Sequence, residues 1–341
     1  MGVGDTIVIW GAGAIGGTIG AYFSRAGHDV VFVDTVEEHT RAIRDRGLRI
    51  TGVEEFNARA PAYTPDTLNG VFGTILLCVK AHHTATATRM LEPHLSDGGA
   101  VVSVQNGLNE PVIADIVGQE RTVGCFVNFG ADYLEPGVVH YGGRGAVVVG
   151  ELDGETTPRV EQLHRVFQDF DANALLSPNV WGFLWSKLAY ASMLFATALT
   201  DDPIADVLDD ADFRPLITRL AQEVVAVAAA QDIKLESFDG FDPSAFASDA
   251  QPEAAAKSLD ALVAFNRRSA KTHSGIWRDL AVRKRRTEVD AQLGAMVEAG
   301  ERHGARAPLN ARLVRMIHQI EEGDRTLARE NLEELAKHLP D

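Results

Sequence analysis

Short apolar runs and one helical pattern alternate over the first part of the chain. An apolar run of strand length, Ile7 to Trp10, leads into glycines with G-x-G-x-x-G spacing, and a helical pattern and a second apolar run ending at Asp34 follow. This order predicts a strand, a helix and a second strand that together hold a dinucleotide. The predicted cofactor-binding loop is formed by Gly11, Ala12, Gly13, Ala14, Ile15 and Gly16.

Each glycine of this loop has a separate predicted task. Gly11 permits the tight turn, Gly13 lets a pyrophosphate approach the backbone, and Gly16 lets the helix pack close to the strand. Asp34 closes the second strand about 20 residues on, where a carboxylate accepts hydrogen bonds from a ribose 2′-hydroxyl and repels a 2′-phosphate. The pattern therefore favours NAD over NADP. The alternative is a glycine-rich turn followed by a solvated aspartate.

Two later strands carry polar residues at their ends. The apolar run Thr74 to Val79 is followed by Lys80, and the run Ala100 to Val104 leads into Gln105 and Asn106. In an open parallel sheet, ligands bind beyond the carboxyl ends of the strands, so Lys80 and Asn106 are predicted to lie at the edge where a ligand would bind. Further strands are predicted at 123–128 and 146–150, with glycines 142, 143 and 145 turning the chain between them, and a helix at 36–46 that stops at Gly47.

The pattern becomes almost wholly helical near residue 179. Apolar residues recur at spacings of three and four, which predicts helices over 180–199, 213–230, 254–266, 283–304 and 311–320. The sequence thus predicts an α/β Rossmann-type domain over residues 1–178, followed by a mainly α-helical domain over 179–341. The run 238–252 is either a lid or a plain connection.

Composition narrows the class of protein. The chain has 341 residues and a net charge of −16, which disfavours DNA or RNA as a partner. Its two cysteines, Cys78 and Cys125, lie in apolar runs and suggest neither a disulfide framework nor a zinc site. No apolar run is long enough for a membrane helix, and the first residues lack a secretory pattern, so a cytoplasmic location is expected.

Two charged residues are candidates for proton transfer, which a nicotinamide cofactor does not itself supply. Lys187 lies in the apolar stretch FLWSKLA, where burial would lower its pKa toward the working range of a general acid. The alternative is a lysine whose ammonium group reaches solvent. Glu288 lies in RRTEVD, where the alternative is a solvated, charged helix face.

Five short motifs, in order, resemble the ketopantoate reductase (2-dehydropantoate 2-reductase) family. They are GAGAIGG at 11–17, CVKA at 78–81, QNGL at 105–108, LWSKL at 184–188 and RRTEVD at 285–290. The resemblance implies a Rossmann domain followed by a helical domain that often mediates dimerisation. It also implies that Lys187 is the general acid toward the ketone oxygen, that Glu288 orients substrate and lysine, and that Lys80 and Asn106 lie near nicotinamide and substrate.

The chain departs from the family pattern at two places. Where the family usually has two substrate-binding asparagines, four and eight residues after the lysine, this chain has Ala191 and Phe195. Tyr190 could supply a different polar contact to substrate. The second departure is Asp34, since most of the family resembles NADP enzymes with a basic residue near this strand end. A substrate-binding serine of the family corresponds to Ser274, with His273 as a neighbouring candidate.

Three hypotheses follow. The first is an NAD-dependent oxidoreductase that interconverts a 2-oxo acid and a 2-hydroxy acid other than pantoate, with Lys187 as general acid and base. The second is an authentic 2-dehydropantoate 2-reductase that uses NADPH. The third is a dinucleotide-binding sensor that has lost catalysis. The expected partners are a small-molecule acid and a second copy of the chain, with no metal ion.

Overall fold

An eight-stranded sheet organises the first half of the chain. The structure is a computed structural model that describes residues 6–268 and 272–339. The described residues form two compact units that divide between Val180 and Trp181, called here the N-terminal and the C-terminal unit. The strands are β1 Ile7–Trp10, β2 Val30–Val33, β3 Leu48–Gly52, β4 Phe56–Ala58, β5 Ala62–Tyr63, β6 Phe72–Leu77, β7 Leu95–Ser103, β8 Thr122–Val127, β9 Gly130–Glu135, β10 Val138–Gly143, β11 Val147–Glu151 and β12 Leu175–Leu176.

The large sheet has the order β12-β11-β8-β7-β6-β1-β2-β5, and a second sheet has the order β4-β3-β10-β9. The large sheet is parallel except where β11 pairs with β8. Along β1, Ile7 and Ile9 join one apolar cluster while Val8 and Trp10 join another, so both faces of the sheet are covered. Burial on both faces explains why the strands read as unbroken apolar runs.

Helices cover the large sheet and make up most of the C-terminal unit. The N-terminal unit contains α1 Ala14–Arg25, α2 Glu37–Arg46, α3 Thr84–Leu91, α4 Glu110–Val117 and α5 Pro158–Gln168. The later helices are α6 Val180–Thr197, α7 Ile204–Asp209, α8 Arg214–Ala229, α9 Ala254–Arg268, α10 Gly275–Trp277, α11 Ala295–Arg302, α12 Pro308–Glu322 and α13 Glu330–Ala336, with π-helical turns at Arg278–Val282 and Asp290–Gly294. The predicted fold class, a Rossmann-type domain followed by a mainly α-helical domain, is confirmed.

The predicted helix over 283–304 is wrong in its first third. Residues 283–288 are not helical, and Lys284 has a φ of 49°, in the left-handed region that ends a helix. Buried Asp279 accepts hydrogen bonds from Arg283 and from Arg285, each at 3.0 Å, and thereby turns the basic run back on itself. Four consecutive basic residues repel one another along a helix, and this side-chain pairing replaces the helical alternative.

The hairpin of β9 and β10 was not predicted. It occupies the stretch for which the sequence suggested only glycine turns, and β10 pairs in parallel with β3 through Val138 and Arg49. Several of its residues are half-buried, so its apolar alternation is weak. No helix within residues 6–268 and 272–339 combines the length and the apolar character needed to cross a bilayer.

Candidate functional site

The glycine-rich loop between β1 and α1 is packed so closely that two of its positions tolerate no side chain. Gly11 has a φ of 101°, and a Cβ there would lie 2.9 Å from the backbone of Cys78 and Val79. A Cβ at Gly16 would lie 2.1 Å from the carbonyl oxygen of Gly11. The turn, the first turn of α1 and the end of β6 therefore form one tight backbone junction.

The start of α1 faces open space. Gly13, Ala14 and Ile15 are partly exposed, and a Cβ at Gly13 would meet nothing within 4 Å. Gly13 caps the helix, and no side chain of the described residues caps its first turn. The first amide groups of α1 are thus accessible and carry the positive end of the helix dipole. These residues fit a dinucleotide pyrophosphate, which such helix ends bind.

The Asp34 carboxylate is held over this loop. One oxygen, Oδ2, accepts a hydrogen bond from the Ala12 N–H at 3.0 Å, and Oδ1 accepts one from the Val36 N–H at 3.0 Å. Asp34 remains partly exposed, and a carboxylate oxygen has two lone pairs, so it can accept further hydrogen bonds. Burial raises the pKa of nearby Tyr133, and the charges of Asp34 and Glu38 raise it further, which marks an acidic environment at this strand end.

Lys80 and Asn106 lie at the same level of two neighbouring strands. In the parallel pair of β6 and β7, Leu77 is opposite Ser103, and these two residues end their strands. Lys80 lies three residues after Leu77, and Asn106 lies three residues after Ser103. Trp10, at the end of β1, is in turn opposite Leu77. The loop after β1, Lys80 and Asn106 therefore share one edge of the sheet. Lys80 is exposed and Asn106 is half-buried there.

A network of neutral side chains holds the loops after β6 and β7 together. Gln105 donates from Nε2 to the carbonyl of Val79 at 2.9 Å and to Thr84 Oγ1 at 2.8 Å. Thr84 donates to Asn109 Oδ1 at 2.9 Å, and Asn109 donates to the carbonyl of Asn106 at 2.8 Å. Gln105, Thr84 and Asn109 are buried. Sequence reasoning assigned them no role, although Gln105 lies in a motif it identified.

Glu110 is fully buried at the start of α4, next to this network. Burial raises the pKa of its carboxyl to about 7, and the Ser103 hydroxyl and the backbone of Glu110 and Asn109 act in the opposite direction. A carboxyl group that titrates near neutrality therefore lies beneath the loop that carries Asn106.

In the C-terminal unit, Lys187 is the one charged residue in the sequence of α6. It is half-buried, and so are Tyr190 and Leu194, which continue the same accessible helix face. Ala191 is 7% exposed and Phe195 is 0% exposed, so they lie in the core next to that face. At the two positions where the family usually has asparagines, this chain therefore has buried apolar side chains.

Tyr190 lies within an aromatic cluster. Its ring is 5.5 Å from that of Phe241 and 6.4 Å from that of Phe238 between centroids, and both phenylalanines are buried. Burial raises the pKa of Tyr190, and a hydrogen bond with Asn266 acts in the opposite direction. The segment 238–252 thus contributes packed aromatic rings behind Tyr190. The surroundings of Tyr190 are predominantly apolar.

Ser274 and His273 both have structural partners. Ser274 is 5% exposed, and its Oγ accepts a hydrogen bond from the Trp277 N–H at 3.1 Å, which caps the short helix α10. His273 contacts the Asp201 carbonyl through Nε2 at 3.0 Å, and its ring lies 4.1 Å from that of Trp277. The Ser274 hydroxyl proton can still be donated, whereas this His273 nitrogen is committed to a carbonyl.

Glu288 is 8% exposed and lies just before the second π-helical turn. Neighbouring Thr287 donates from its N–H and from its hydroxyl to Glu321 Oε1, both at 2.7 Å. His318 contacts Glu321 Oε2 at 3.0 Å and Asp290 Oδ1 at 2.8 Å. Burial acts to lower the pKa of His318, but these two hydrogen bonds and charges raise it above its ordinary value. Ionised side chains thus fix the segment that carries Glu288.

The structure therefore brings the glycine-rich loop, Asp34, Lys80 and Asn106 to one edge of a parallel sheet. Within the C-terminal unit, Lys187 and Tyr190 share α6, while Ser274 and Glu288 lie on separate segments. Their catalytic and binding roles remain predictions. Sequence reasoning missed Glu321 and His318, because their contacts with Thr287 and Asp290 span 34 and 28 residues and no local pattern links them.

The Rossmann-type fold and the glycine-rich loop are those of an oxidoreductase that binds a dinucleotide. The family model "Ketopantoate reductase PanE/ApbA" matches residues 7–154, and its C-terminal counterpart matches residues 179–321. The chain belongs to the ketopantoate reductase family.

Relatives match over nearly the whole chain. A 2-dehydropantoate 2-reductase of Archaeoglobus fulgidus is 28% identical over 322 residues, which cover 93% of this chain and 98% of that protein. The crystal structure of a PanE/ApbA family ketopantoate reductase from Ralstonia eutropha JMP134 is 26% identical, with a TM-score of 0.79 over 93% of this chain and 99% of that one. A D-mandelate dehydrogenase, solved with NADH and anilino(oxo)acetate, shares the fold at 22% identity and a TM-score of 0.80, over 93% of this chain and 98% of that one.

Proposed function

We propose that the protein is an NAD-dependent oxidoreductase that interconverts a 2-oxo acid and a 2-hydroxy acid, with Lys187 as the proton-transfer group. The observation that carries the proposal is Lys187 itself, a single half-buried charge on the accessible face of an otherwise uncharged helix. A lysine in such surroundings is selected for chemistry more readily than for stability, because an ammonium group is costly to bury.

The bound nicotinamide supplies or accepts the hydride, and the side chains handle the proton. In reduction, the Lys187 ammonium donates a proton to the ketone oxygen as the carbonyl carbon gains hydride, which yields the 2-hydroxy acid and NAD⁺. In oxidation, neutral Lys187 accepts the hydroxyl proton. Glu288 orients Lys187 and the substrate, and Lys80, Asn106, Tyr190 and Ser274 bind the substrate's polar groups.

The preference for NAD is argued from Asp34. Its carboxylate is fixed over the loop by two backbone amides, next to Glu38 and Tyr133 in an acidic environment. A ribose hydroxyl can donate to such a carboxylate, whereas a 2′-phosphate would be repelled. The D-mandelate dehydrogenase of the same fold was solved with NADH. Calorimetry should show tighter binding of NADH than of NADPH, and Asp34→Ala should remove that preference.

A substrate other than pantoate is argued from the core position of Ala191 and Phe195. Amide groups that would bind a substrate hydroxyl are replaced there by a methyl group and a ring, and their loss weakens discrimination for that hydroxyl. The accessible face next to Lys187 carries Tyr190 and Leu194 instead. We therefore expect a substrate whose side chain is more apolar than that of pantoate.

A second candidate is an authentic 2-dehydropantoate 2-reductase, because the relatives with that name match more than nine-tenths of the chain. Two results would establish this candidate: ketopantoate is reduced faster with NADPH than with NADH, and NADPH is oxidised faster with ketopantoate than with other 2-oxo acids. The family resemblance also supports a homodimer, which light scattering on the purified protein would test.

Lys187→Ala is the direct test of the proposal. We expect turnover to fall by about 100-fold or more while NADH binding stays unchanged, since general acid–base groups contribute factors of this size. Lys257→Ala, at an exposed lysine of α9, is the control and should leave turnover unchanged. Near-wild-type turnover of Lys187→Ala would contradict the assignment.

A further inference from the structure

His39 is a buried histidine in a helix that is otherwise strongly polar. The first turn of α2 contains exposed Glu37 and Glu38, yet the side chain that follows them is only 1% exposed. A buried imidazole requires hydrogen-bond partners on both ring nitrogens, and His39 has them in two different parts of the N-terminal unit.

The two partners fix which ring nitrogen carries the proton. The Gly137 N–H, in the turn between β9 and β10, donates to His39 Nδ1 at 2.9 Å, so this nitrogen is unprotonated. The other nitrogen, Nε2, lies 2.8 Å from the Ala12 carbonyl oxygen, which can only accept. Nε2 must therefore carry the hydrogen, and the ring is the neutral Nε2–H tautomer.

Through this bond His39 sets the orientation of the glycine-rich loop. The Ala12 carbonyl belongs to the same planar peptide unit as the Gly13 N–H, and in a trans peptide the two groups point in opposite directions. With the carbonyl held by His39, the Gly13 N–H points away from the core, toward the accessible start of α1. Asp34 holds the preceding peptide unit through the Ala12 N–H at 3.0 Å.

The imidazole has little freedom to give up this contact. The ring of Tyr133, on β9, packs edge-on against His39 with 5.0 Å between centroids. The Ala12 carbonyl is itself confined, because even a methyl group at Gly17 would approach it to 2.8 Å. Gly137 and Tyr133, which belong to the β9–β10 hairpin of the second sheet, thus hold His39 in contact with the glycine-rich loop.

We propose that His39 is a positioning residue for dinucleotide binding, which aims the Gly13 N–H at the cofactor pyrophosphate by holding the Ala12 carbonyl. This role rests on the proposed placement of the dinucleotide at the glycine-rich loop. His39 contacts neither the reacting atoms nor the cofactor in this role, so the effect falls on cofactor affinity and leaves the chemical step unchanged.

Two amide substitutions separate the two hydrogen bonds. In His39→Asn the amide oxygen replaces Nδ1 as acceptor for Gly137, but nothing donates to Ala12. In His39→Gln the amide nitrogen replaces Nε2 as donor to Ala12, and the Gly137 bond is lost. We expect Kd for NADH to rise about tenfold in the asparagine variant and by less than about twofold in the glutamine variant, because only the asparagine variant leaves the Ala12 carbonyl, and with it the Gly13 N–H, without the bond that orients it.

Turnover at saturating NADH should be unchanged in both variants, and both should melt below the wild type. Thr40→Val is the matched control. It removes a part-buried hydrogen bond from buried Thr40 to the Glu37 carbonyl in the same helix, and it should leave Kd unchanged. Equal Kd in the asparagine and glutamine variants, despite their lowered melting temperatures, would overturn the proposal and leave His39 a structural residue only.

A measurement on the unmodified protein complements the variants. Long-range ¹⁵N–¹H NMR should show His39 as the neutral Nε2–H tautomer, both free and with NADH, and protonation on Nδ1 would overturn the proposal. A wild-type protein that binds neither NADH nor NADPH would overturn the dinucleotide placement itself. Binding by the wild type with equal affinities in both amide variants would overturn the His39 role alone.

Discussion

The two groups of candidate residues are held in place by different interactions. At the sheet edge of the N-terminal unit, Lys80 and Asn106 are positioned by strand register and by neutral amide and hydroxyl groups such as Gln105 and Thr84. In the C-terminal unit, the segment with Glu288 is fixed by ionised side chains. Neutral hydrogen bonds respond little to salt, whereas interactions between charged groups are weakened by it. The network at the sheet edge should therefore be less sensitive to salt than the segment with Glu288.

Among the substitutions that test this difference, Gly16→Ala should have the largest effect on NADH affinity and on stability. The added methyl group would lie 2.1 Å from the Gly11 carbonyl, so the backbone junction must open. We expect NADH affinity to fall by more than about 100-fold, together with a free energy of unfolding lower by about 4 kcal/mol. Gly73→Ala, in a strand but with nothing within 4 Å, is the control. Unchanged NADH binding by Gly16→Ala would show that the loop tolerates rearrangement.

Glu110→Gln tests a buried titratable group next to the neutral network that holds the loop with Asn106. The pKa of Glu110 is raised from 4.5 to about 7 in the folded protein, so its contribution to stability is fully present below pH 4.5 and is lost as pH rises through about 7. The neutral glutamine should remove this loss and raise the free energy of unfolding at pH 8 by on the order of 3 kcal/mol. Denaturant titrations at pH 5 and pH 8 would measure it, and an equal effect at both pH values would contradict it.

Glu321→Gln addresses the charged group of the C-terminal unit. Thr287 would exchange two hydrogen bonds to a carboxylate for bonds to a neutral amide, which should cost about 2 kcal/mol of stability. We expect lower turnover with unchanged NADH affinity, because only the Glu288 segment is loosened. Exposed Glu322→Gln is the control. A rise in Kd for NADH with unchanged turnover would contradict this prediction, since Glu321 would then support cofactor binding and not the chemical step.

The smallest effect should come from His318. Its pKa is raised above 6.5 in the folded protein, so the stabilisation it provides is fully present below about pH 6.5 and is lost as pH rises through the folded value. In His318→Gln the decrease in the free energy of unfolding between pH 6 and pH 8 should be smaller than in the wild type, by about 0.5 kcal/mol for such a partly exposed pair. Thermal melts across that range would measure the slope, and an unchanged slope would exclude His318 as its source.

Much of the fold could be predicted because its signals are local. The glycine spacing, the apolar runs of β1, β6 and β7, and the helical periodicity of α6 and α8 are each contained in a few consecutive residues. The contacts that could not be predicted join distant segments, such as Thr287 with Glu321. The break in the helix at 283–288 was missed for a different reason: the contacts are local, but helical periodicity does not reveal that Asp279 pairs with Arg283 and Arg285. Residue context made Lys187 and Glu288 candidates, the likeness to a family implied their roles, and burial then showed which face of α6 is accessible.

The bond between His39 and Gly137 also has a consequence for the order of folding. The nucleotide-binding loop begins at residue 11, but its brace comes from a turn that is 98 residues beyond His39 in the chain. Contacts of such long sequence separation form late, because closing a long loop costs chain entropy. During synthesis, the loop therefore reaches its final geometry only after the β9–β10 hairpin has left the ribosome. Arrested nascent chains should gain NADH binding only once this hairpin and the rest of the N-terminal unit have emerged.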